Sequence, residues 1–291
     1  MLEPAFDRPG APRAEPVSDP ERPIFILGCS WRCGSTLLQR YVNSTKAAFV
    51  WGENLALTAA VGRLLDPVRA WGELSREQAE TFRVEAHGAW IANLNPCPEQ
   101  ATRRVVRAAL AALYGPPTAA MGLDRWGFKE VRHGAEEARL LLAAFPHARI
   151  IFVVRRVQDV LASNLSTGWI DQVGGADGVL RQWIGACASM ARIDDRRILT
   201  LRYEDLCADR AAVTARLADH LEIDPSSFQA GVLYAPIRGA LSPPRSTPLA
   251  EVERARPAVR ALMDTYYGAA GAWGPEGAEA AFSRRDDECR L

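Results

Sequence analysis

Short, almost wholly apolar runs alternate with longer stretches of mixed polarity along the central part of the chain. Runs of this kind are typical of strands buried on both faces of a parallel sheet, and the longer stretches have the period of helices. The pattern predicts strands at residues 23–28, 47–51, 126–129, 149–154 and 198–202. The expected fold class is therefore α/β, with a central parallel β-sheet flanked by helices.

The longest stretch without a predicted strand separates the second strand from the third. Residues 53–115 contain two helix-start signals, and Gly115-Pro116-Pro117 is expected to end the second helix. We therefore predict a helical insertion after the second strand, within a single α/β domain at residues 23–273. Residues 1–22 are rich in proline and are expected to form a disordered lead-in, and residues 274–291 a flexible tail.

The composition excludes several classes of protein. The 35 basic and 35 acidic side chains give zero net charge, which argues against a nucleic-acid-binding protein with a broad basic surface. No apolar run approaches the ~18 residues of a membrane-spanning helix, and the first residues lack the apolar segment of a secretory signal. Six cysteines without a Cys-x-x-Cys pair indicate neither a disulfide framework nor structural zinc. We expect a cytoplasmic protein with no nucleic-acid partner and no membrane span.

A short loop of small residues follows the first predicted strand and precedes an apolar helical segment. It reads Arg32-Cys33-Gly34-Ser35-Thr36. Strand–loop–helix segments of this kind bind phosphate, because the first N–H groups of the helix attract an anion and glycine lets the backbone approach it. A Walker A motif would need Lys directly before the Ser or Thr, where this chain has Gly34, so the cation of the loop is Arg32 instead. The alternative is a structural turn that binds no ligand.

A second candidate phosphate site follows the fourth predicted strand. That strand ends at Arg155 and Arg156, and Ser163 lies eight residues after Arg155, about two turns along the helix that follows. A guanidinium group makes forked contacts with a phosphate, and a hydroxyl adds a neutral donor. A solvent-exposed pair of arginines is the alternative. Two phosphate-type sites, each at a strand end, favour one shared nucleotide site.

Together these motifs resemble those of sulfotransferases that use 3′-phosphoadenosine 5′-phosphosulfate (PAPS). The common bacterial form of the loop is Arg-Ser-Gly-(Ser/Thr)-Thr, and this chain departs from it by Cys33 and by Ser30-Trp31 where a Pro is usual. The segment Arg197–Leu206 resembles the family's strand that ends in Tyr-Glu-Asp-Leu. The resemblance covers roughly residues 23–225 and implies a P-loop-type sheet.

The resemblance also implies a set of nucleotide-binding residues. They are Arg32, Cys33, Gly34, Ser35 and Thr36 for the 5′-phosphosulfate, Arg155 and Ser163 for the 3′-phosphate, and Tyr203 near the adenine. Cys33 is interpreted as a small residue that binds through its main-chain N–H, although a helix N-terminus would also stabilise a thiolate there. The product of the reaction would be 3′-phosphoadenosine 5′-phosphate (PAP).

Two cations are expected to promote sulfuryl transfer. Trp126–Glu130 resembles the family's short strand that carries Lys129 toward the sulfuryl group. Negative charge develops on the leaving oxygen during transfer, so positioned cations stabilise the transition state. Because a sulfuryl group carries less charge than a phosphoryl group, Arg32 and Lys129 are expected to suffice without a metal. The predicted activity is a PAPS-dependent sulfotransferase that acts on a hydroxyl or amine of a small-molecule, carbohydrate or peptide acceptor.

The acceptor also needs a general base. Glu53 resembles the Gly-Glu of tyrosylprotein and many bacterial sulfotransferases, in which the carboxylate is the base. Its alternative role is a structural ion pair with Lys129 or Arg132. His133 would correspond to the base of cytosolic steroid and phenol sulfotransferases, but their Lys-Thr/Ser-His-Leu-Pro context is absent, and Glu130 is a lesser candidate. We favour Glu53.

Two other functions fit part of the pattern. A P-loop phosphotransferase (kinase) would need a Walker-type Lys and acidic metal ligands, and the sequence shows neither. A non-catalytic nucleotide-binding scaffold would have the same fold, but it would not need Glu53 and Lys129 beside the nucleotide-binding residues. We therefore favour the sulfotransferase.

Overall fold

The structure is a computed structural model that describes residues 21–168, 170–234 and 255–268. The predicted lead-in at 1–22 lies outside these ranges except for its last two residues. The predicted tail at 274–291 lies wholly outside them.

Five parallel strands form the central sheet, as the apolar runs predicted. The strands are β1 (Ile24–Gly28), β2 (Phe49–Trp51), β3 (Trp126–Glu130), β4 (Arg149–Val154) and β5 (Ile198–Arg202). Their order across the sheet is β2-β3-β1-β4-β5, and every neighbouring pair is parallel. The predicted α/β fold with a central parallel β-sheet is therefore confirmed, and the largest change in a strand boundary is at β2, which begins two residues later than expected.

The inner strands are buried on both faces, which explains why they appear as continuous apolar runs in the sequence. Every residue of β1 and of β3 is buried, including Lys129 and Glu130 at the end of β3. Phe25 of β1 packs against the rings of Phe128 and Phe145, with centroids 4.8 and 5.9 Å apart. The core is therefore continuous across the sheet and holds the strand ends rigidly.

The order of the strands brings the candidate motifs together. Because β1 lies between β3 and β4, the loop after β1 is flanked by the segments that follow those two strands. Ligands of open parallel sheets bind at the carboxyl ends of the strands, where the connections diverge. Neighbouring strands therefore carry the loop at residues 29–34, Lys129 and Arg155 at their carboxyl ends.

Helices flank the sheet, and the insertion after β2 contributes four of them. The helices in the described ranges are α1 (Ser35–Asn43), α2 (Leu57–Arg63), α3 (Asp66–Ala70), α4 (Gly72–Glu85), α5 (Pro98–Ala119), α6 (Ala135–Ala144), α7 (Val157–Ser166), α8 (Gly175–Met190), α9 (Tyr203–Ala208), α10 (Arg210–Leu221), α11 (Gly231–Tyr234) and α12 (Arg256–Tyr267). Short 3₁₀ turns occur at Ala86–Gly88, Ile170–Val173 and Pro225–Ser227.

Helix α5 is longer than the sequence predicted. It passes through Pro116 and Pro117 and ends at Ala119, so the expectation that Gly115-Pro116-Pro117 stops it is wrong. Each proline removes one main-chain N–H donor from the helix, and its ring crowds the carbonyl four residues earlier. Buried Thr118 holds the last turn, since its hydroxyl donates to Tyr114 O at 2.7 Å and accepts from Trp51 Nε1 at 2.9 Å. Tertiary contacts with β2 therefore outweigh the lost main-chain bonds.

Helix α12 is the last helix of the described residues, and its two tyrosines make hydrogen bonds with α8 and α9. Tyr266 donates its hydroxyl to Cys187 O on α8 at 2.8 Å. Tyr267 donates to Glu204 Oε2 at 2.9 Å, and the other oxygen of Glu204 accepts from Arg156 N at 2.9 Å. The start of α7 and the start of α9 are therefore held together by one carboxylate that α12 fixes.

Candidate active site

The loop after β1 has the geometry of an anion-binding turn. Cys29 N donates to Val153 O at 2.9 Å, which continues the β1–β4 pairing into the loop. Arg32 and Gly34 have positive φ angles of 64° and 92°, and α1 begins directly afterwards at Ser35. The first N–H groups of α1 therefore follow a tight turn at the carboxyl edge of the sheet, as phosphate binding requires.

Glycine is required at position 34 for two reasons. Its φ of 92° is disfavoured for other residues. A Cβ at this position would also lie 2.1 Å from Cδ2 of Tyr203, far inside the van der Waals distance. Tyr203 therefore packs directly against the backbone of the loop, which places the residue predicted to lie near the adenine next to the residues predicted to bind the 5′-phosphosulfate.

Arg155, Ser163 and Arg32, which the family resemblance assigns to two phosphate positions, lie together in the structure. Arg155 Nη1 donates to Arg32 O at 3.0 Å, and Arg32 Nε donates to Ser163 Oγ at 3.2 Å. The Arg155 guanidinium also lies over the Tyr203 ring, 4.4 Å from its centroid. Burial, and next the positive charge of Arg155, lower the pKa of Arg32. Two cations held this close indicate a place where an anion would be stabilised.

Buried side chains hold the main chain of Arg155 and of the neighbouring loop in place. Trp183 on α8 is fully buried and donates its indole N–H to Arg155 O at 2.9 Å. On α7, Asn164 Nδ2 donates to Val160 O at 2.8 Å and to Trp31 O at 3.3 Å. The segment after β4 and the loop after β1 are thereby held by buried side chains.

The Cys33 side chain lies on the inner side of the loop. Its thiol is fully buried next to Cys29. The hydrogen bond with Cys29, and then burial, raise the pKa of Cys33 well above its usual value. A fully buried thiol cannot reach an anion in the site, so the predicted contact of Cys33 with the nucleotide stays a prediction for its main-chain N–H alone.

A carboxylate and two cations form the second half of the site. Lys129 Nζ donates to Glu53 Oε1 at 2.5 Å, and Arg132 Nη1 donates to Glu53 Oε2 at 2.9 Å. The side chain of Lys129 is 6% exposed, whereas that of Glu53 is 26% exposed and reaches solvent. The structure thus contains the ion pairs with Lys129 and with Arg132 that the sequence analysis names as the alternative, structural role of Glu53. It also places the carboxylate where an acceptor could reach it.

Glu130 has a different environment from Glu53. It is fully buried, and its two oxygens accept five hydrogen bonds, all from the segments at 54–56 and 131–132. Burial opposes its ionisation, but the N–H donors of Ala56 and Val131 and the charge of Arg132 hold the pKa of Glu130 below its usual range. With no access to solvent, this carboxylate is a poor candidate for the general base.

His133 is also buried. Its ring is 1% exposed and packs edge-on against Phe128, with centroids 6.2 Å apart. Burial lowers the pKa of His133 below its usual range. An acceptor at the surface would not reach this ring, which favours Glu53 over His133 as the base.

The free energy of unfolding is expected to decrease as the pH falls below about 6.5. Burial lowers the pKa of both His133 and His220. The folded protein therefore binds fewer protons at these sites than the unfolded chain, so their contribution to stability is complete above the unfolded pKa and is lost toward the folded one. Urea unfolding between about pH 7.5 and 5.5 measures this loss. If the free energy of unfolding of both His133→Gln and His220→Gln depends on pH as steeply as that of the wild type, the explanation is wrong.

The two halves of the site meet at Trp31 and Arg132. The Arg132 guanidinium lies over the Trp31 ring, 5.6 Å from its centroid. Trp31 directly precedes Arg32 in the loop after β1, and Arg132 contacts Glu53. The contact between Trp31 and Arg132 therefore connects this loop with the carboxylate. The sequence showed that Trp31 departs from the family pattern, but it gave no signal that Arg132 reaches this residue.

The family of the chain follows from a comparison with known proteins. A family model described as "Sulfotransferase family" matches residues 23–227. The match covers well over half of the chain, and the protein therefore belongs to the sulfotransferase family. Membership supports sulfuryl transfer as its general activity. The comparison with curated proteins gave no match.

The chain is similar to solved sulfotransferase structures. STF9 from Mycobacterium avium is 16% identical, with a TM-score of 0.51 over 86% of this chain and 78% of that one. The sulfotransferase domain of the Synechococcus PCC 7002 olefin synthase is 20% identical, with a TM-score of 0.49 over 86% and 96% of the two chains. Mouse sulfotransferase SULT7A1, solved in complex with PAP, is 9% identical, with a TM-score of 0.37 over 92% and 84%. At such identities the likeness concerns the fold alone.

Among the helices of the described ranges, none has the length and apolar character needed to cross a membrane. In the same part of the chain, no cluster of three or more His, Cys, Asp or Glu side chains could hold a metal ion.

Proposed function

We propose that the protein is a PAPS-dependent sulfotransferase that moves the sulfuryl group to a hydroxyl or amine of a small-molecule, carbohydrate or peptide acceptor. The observation that carries the proposal is the convergence of three groups at one edge of the sheet. They are the loop at residues 32–36, the Arg155 and Ser163 pair, and Glu53 with Lys129. A kinase would use the first group, but it would need a Walker-type Lys and acidic metal ligands, and it has no need of the second group, which we assign to a 3′-phosphate.

The donor set fits a nucleotide with two separate phosphate positions. Arg155 and Ser163 would hold the 3′-phosphate through a forked guanidinium contact and a hydroxyl donor. The main-chain N–H groups at the start of α1, together with Ser35 and Thr36, would hold the 5′-phosphosulfate, and Tyr203 would lie near the adenine. When bound, PAPS supplies an activated sulfuryl group, which leaves the protein to provide orientation, charge and a base.

In the proposed reaction Glu53 removes the proton from the acceptor, and Arg32 and Lys129 stabilise the charge that develops during transfer. Glu53 contacts both Lys129 and Arg132 in the structure. An anionic sulfuryl donor would compete for these cations, which would leave the carboxylate available for the acceptor proton. The ion pair between Lys129 Nζ and Glu53 Oε1 holds the proposed base next to one of the proposed cations.

PAP and PAPS are expected to stabilise the fold without added metal, because each phosphate has its own donors. At a ligand concentration ~100 times Kd, the gain in free energy of unfolding should be ~2.7 kcal/mol. Thermal unfolding with PAP, with PAPS, with ADP and Mg²⁺, and with ATP and Mg²⁺ measures this preference. Equal protection by ADP with Mg²⁺ would contradict the assignment of the 3′-phosphate and favour a phosphotransferase.

Transfer itself is tested with labelled PAPS and one acceptor of each class. Suitable acceptors are 2-naphthol as a phenol, N-acetylglucosamine as a carbohydrate and a tyrosine-containing peptide. Formation of a sulfated product with any of them, together with PAP, supports the proposal. Binding of PAP without PAP formation from PAPS, even with water as the acceptor, would instead favour a non-catalytic nucleotide-binding scaffold.

A further inference from the structure

The segment that carries Glu53 has an unusual backbone. Leu55 and Ala56 are consecutive and have positive φ angles of 55° and 61°. Side chains with a Cβ disfavour this left-handed region, and strain of this kind in a folded protein must be imposed by the surroundings. Ala56 directly precedes α2, so the strained pair lies between the carboxylate of Glu53 and the first helix of the insertion.

The buried carboxylate of Glu130 holds this turn. Its Oε2 accepts from Ala56 N at 2.8 Å and from Asn54 N at 3.3 Å. Ionised carboxylates make strong hydrogen bonds with main-chain N–H groups, and no water competes at a fully buried position. Glu130 therefore helps to keep Leu55 and Ala56 in the left-handed conformation, together with Asn54, whose Oδ1 accepts from Leu57 N at 3.1 Å.

The other oxygen of Glu130 reaches Glu53 through an arginine. Glu130 Oε1 accepts from Arg132 Nη1 at 2.7 Å, and the same nitrogen donates to Glu53 Oε2 at 2.9 Å. The side chain of Arg132 is thereby shared between one buried and one partly exposed carboxylate. Glu130 thus acts on Glu53 by two routes, through the backbone of its turn and through the guanidinium group.

We propose that Glu130 is a positioning residue that fixes the orientation of Glu53 for its role as general base. The inference rests on the proposed function, because it assigns a purpose to Glu130 only if Glu53 removes a proton. Glu130 does not itself touch the acceptor. The alternative is a carboxylate that merely stabilises the fold.

A double-mutant cycle separates positioning from stabilisation. Glu130→Gln keeps the size of the side chain but loses the charge and replaces one acceptor oxygen by an NH₂ group. We expect single-turnover PAP formation from PAPS to slow by about 10- to 100-fold. In a Glu53→Gln background the same change should slow it by less than about twofold, since Glu130 acts through Glu53. The acceptor is one that supports transfer in the panel above, or water if none does.

The outcomes distinguish this inference from the proposed function. One outcome is that Glu53→Gln slows transfer while the fold-reductions in rate caused by Glu53→Gln and Glu130→Gln multiply in the double variant. In that case Glu130 does not act through Glu53, and the inference is wrong. If Glu53→Gln does not slow transfer, the base assignment and the inference both fail. Loss of PAP binding by the wild-type protein would contradict the proposed function itself, whereas PAP affinity should stay within about twofold in every variant of the cycle.

Glu137 provides a matched control. Its Oε2 accepts from Gly134 N at 2.8 Å at the start of α6, so Glu137→Gln also weakens a carboxylate contact with a main-chain N–H. Glu137 makes no contact with Glu53. Its substitution should lower the thermal stability but leave PAP formation within about threefold of wild type. Equal losses of activity in Glu130→Gln and Glu137→Gln would leave only a stabilising role for Glu130.

A second pair of variants covers the case in which Glu130→Gln does not fold. Ala56→Gly removes the steric cost of the left-handed conformation at φ 61°, so the turn depends less on Glu130. Glu130→Gln with Ala56→Gly should therefore fold more readily and transfer sulfate several-fold faster than Glu130→Gln alone. The cycle with Glu53→Gln is then repeated with Ala56→Gly as the reference. Losses that multiply in this series as well would overturn the proposal.

Discussion

Replacement of Glu53 by glutamine is expected to lower the rate of sulfuryl transfer about 10²- to 10⁴-fold. The amide has the size and shape of the carboxylate, but it cannot take a proton from the acceptor. An amide oxygen can still accept a hydrogen bond from Lys129, whose side chain is 6% exposed and would otherwise lose a partner. The effect should therefore appear mainly in the single-turnover rate and less in thermal stability.

PAP affinity provides the internal control for this substitution. Glu53 contacts Lys129 and Arg132 and is separate from the Arg155 and Ser163 pair, so PAP should bind the variant with near wild-type affinity. His133→Gln, which changes a buried ring, should keep transfer within a few-fold of wild type. A nearly normal Glu53→Gln beside an inactive His133→Gln would reverse the assignment of the base.

Replacement of Arg155 by alanine is expected to weaken PAP binding by about 1.5–3 kcal/mol, the value of a hydrogen bond to a charged group. The predicted loss is about 10- to 150-fold in Kd. ADP lacks the 3′-phosphate, so its binding should change much less. Arg155 also supports the loop through Arg32 O, and for that reason the informative quantity is the ratio of the two affinities in each variant.

Arg156 supplies the matched control for Arg155. The two residues are adjacent, but the Arg156 guanidinium lies over the ring of Tyr267, 5.7 Å from its centroid, while that of Arg155 lies over Tyr203. Arg156→Ala should leave the ratio of PAP to ADP affinity unchanged in calorimetric titrations. If Arg155→Ala lowers the affinities for PAP and ADP equally, Arg155 does not bind the 3′-phosphate.

The sheet and the conformation of the loop after β1 could be predicted because their signals are local. The apolar runs of β1 and β4 follow from burial on both faces, and the loop after β1 combines a glycine, two hydroxyls and a helix start within five residues. The position of Arg155 and Ser163 follows from helical spacing. Each of these features depends on residues that are near one another in the chain.

The contacts of Glu130 could not be predicted in the same way. Glu130 and Ala56 are 74 residues apart, and their hydrogen bond depends on β2 and β3 lying side by side. The extension of α5 through Pro116 depends likewise on the contact of Thr118 with Trp51. Local propensity is overridden in both cases by a partner that only the folded chain provides.

The packing of Tyr203 against Gly34 is a third example of a distant contact. The sequence predicted that Gly34 lets the backbone approach an anion, and the resemblance to sulfotransferases separately implied that Tyr203 lies near the adenine. The structure shows that the aromatic ring itself occupies the space beside the glycine. This glycine therefore satisfies an intramolecular packing requirement in addition to any requirement of the nucleotide.

The burial of Cys33 has a practical consequence for chemical labelling. Thiol-reactive probes attack the thiolate, and a buried thiol with a raised pKa offers them neither access nor charge. Cys97, by contrast, is exposed directly before α5 in the insertion. A fluorescent maleimide would therefore modify Cys97 well before Cys33, and the loop after β1 would keep its native side chains during labelling.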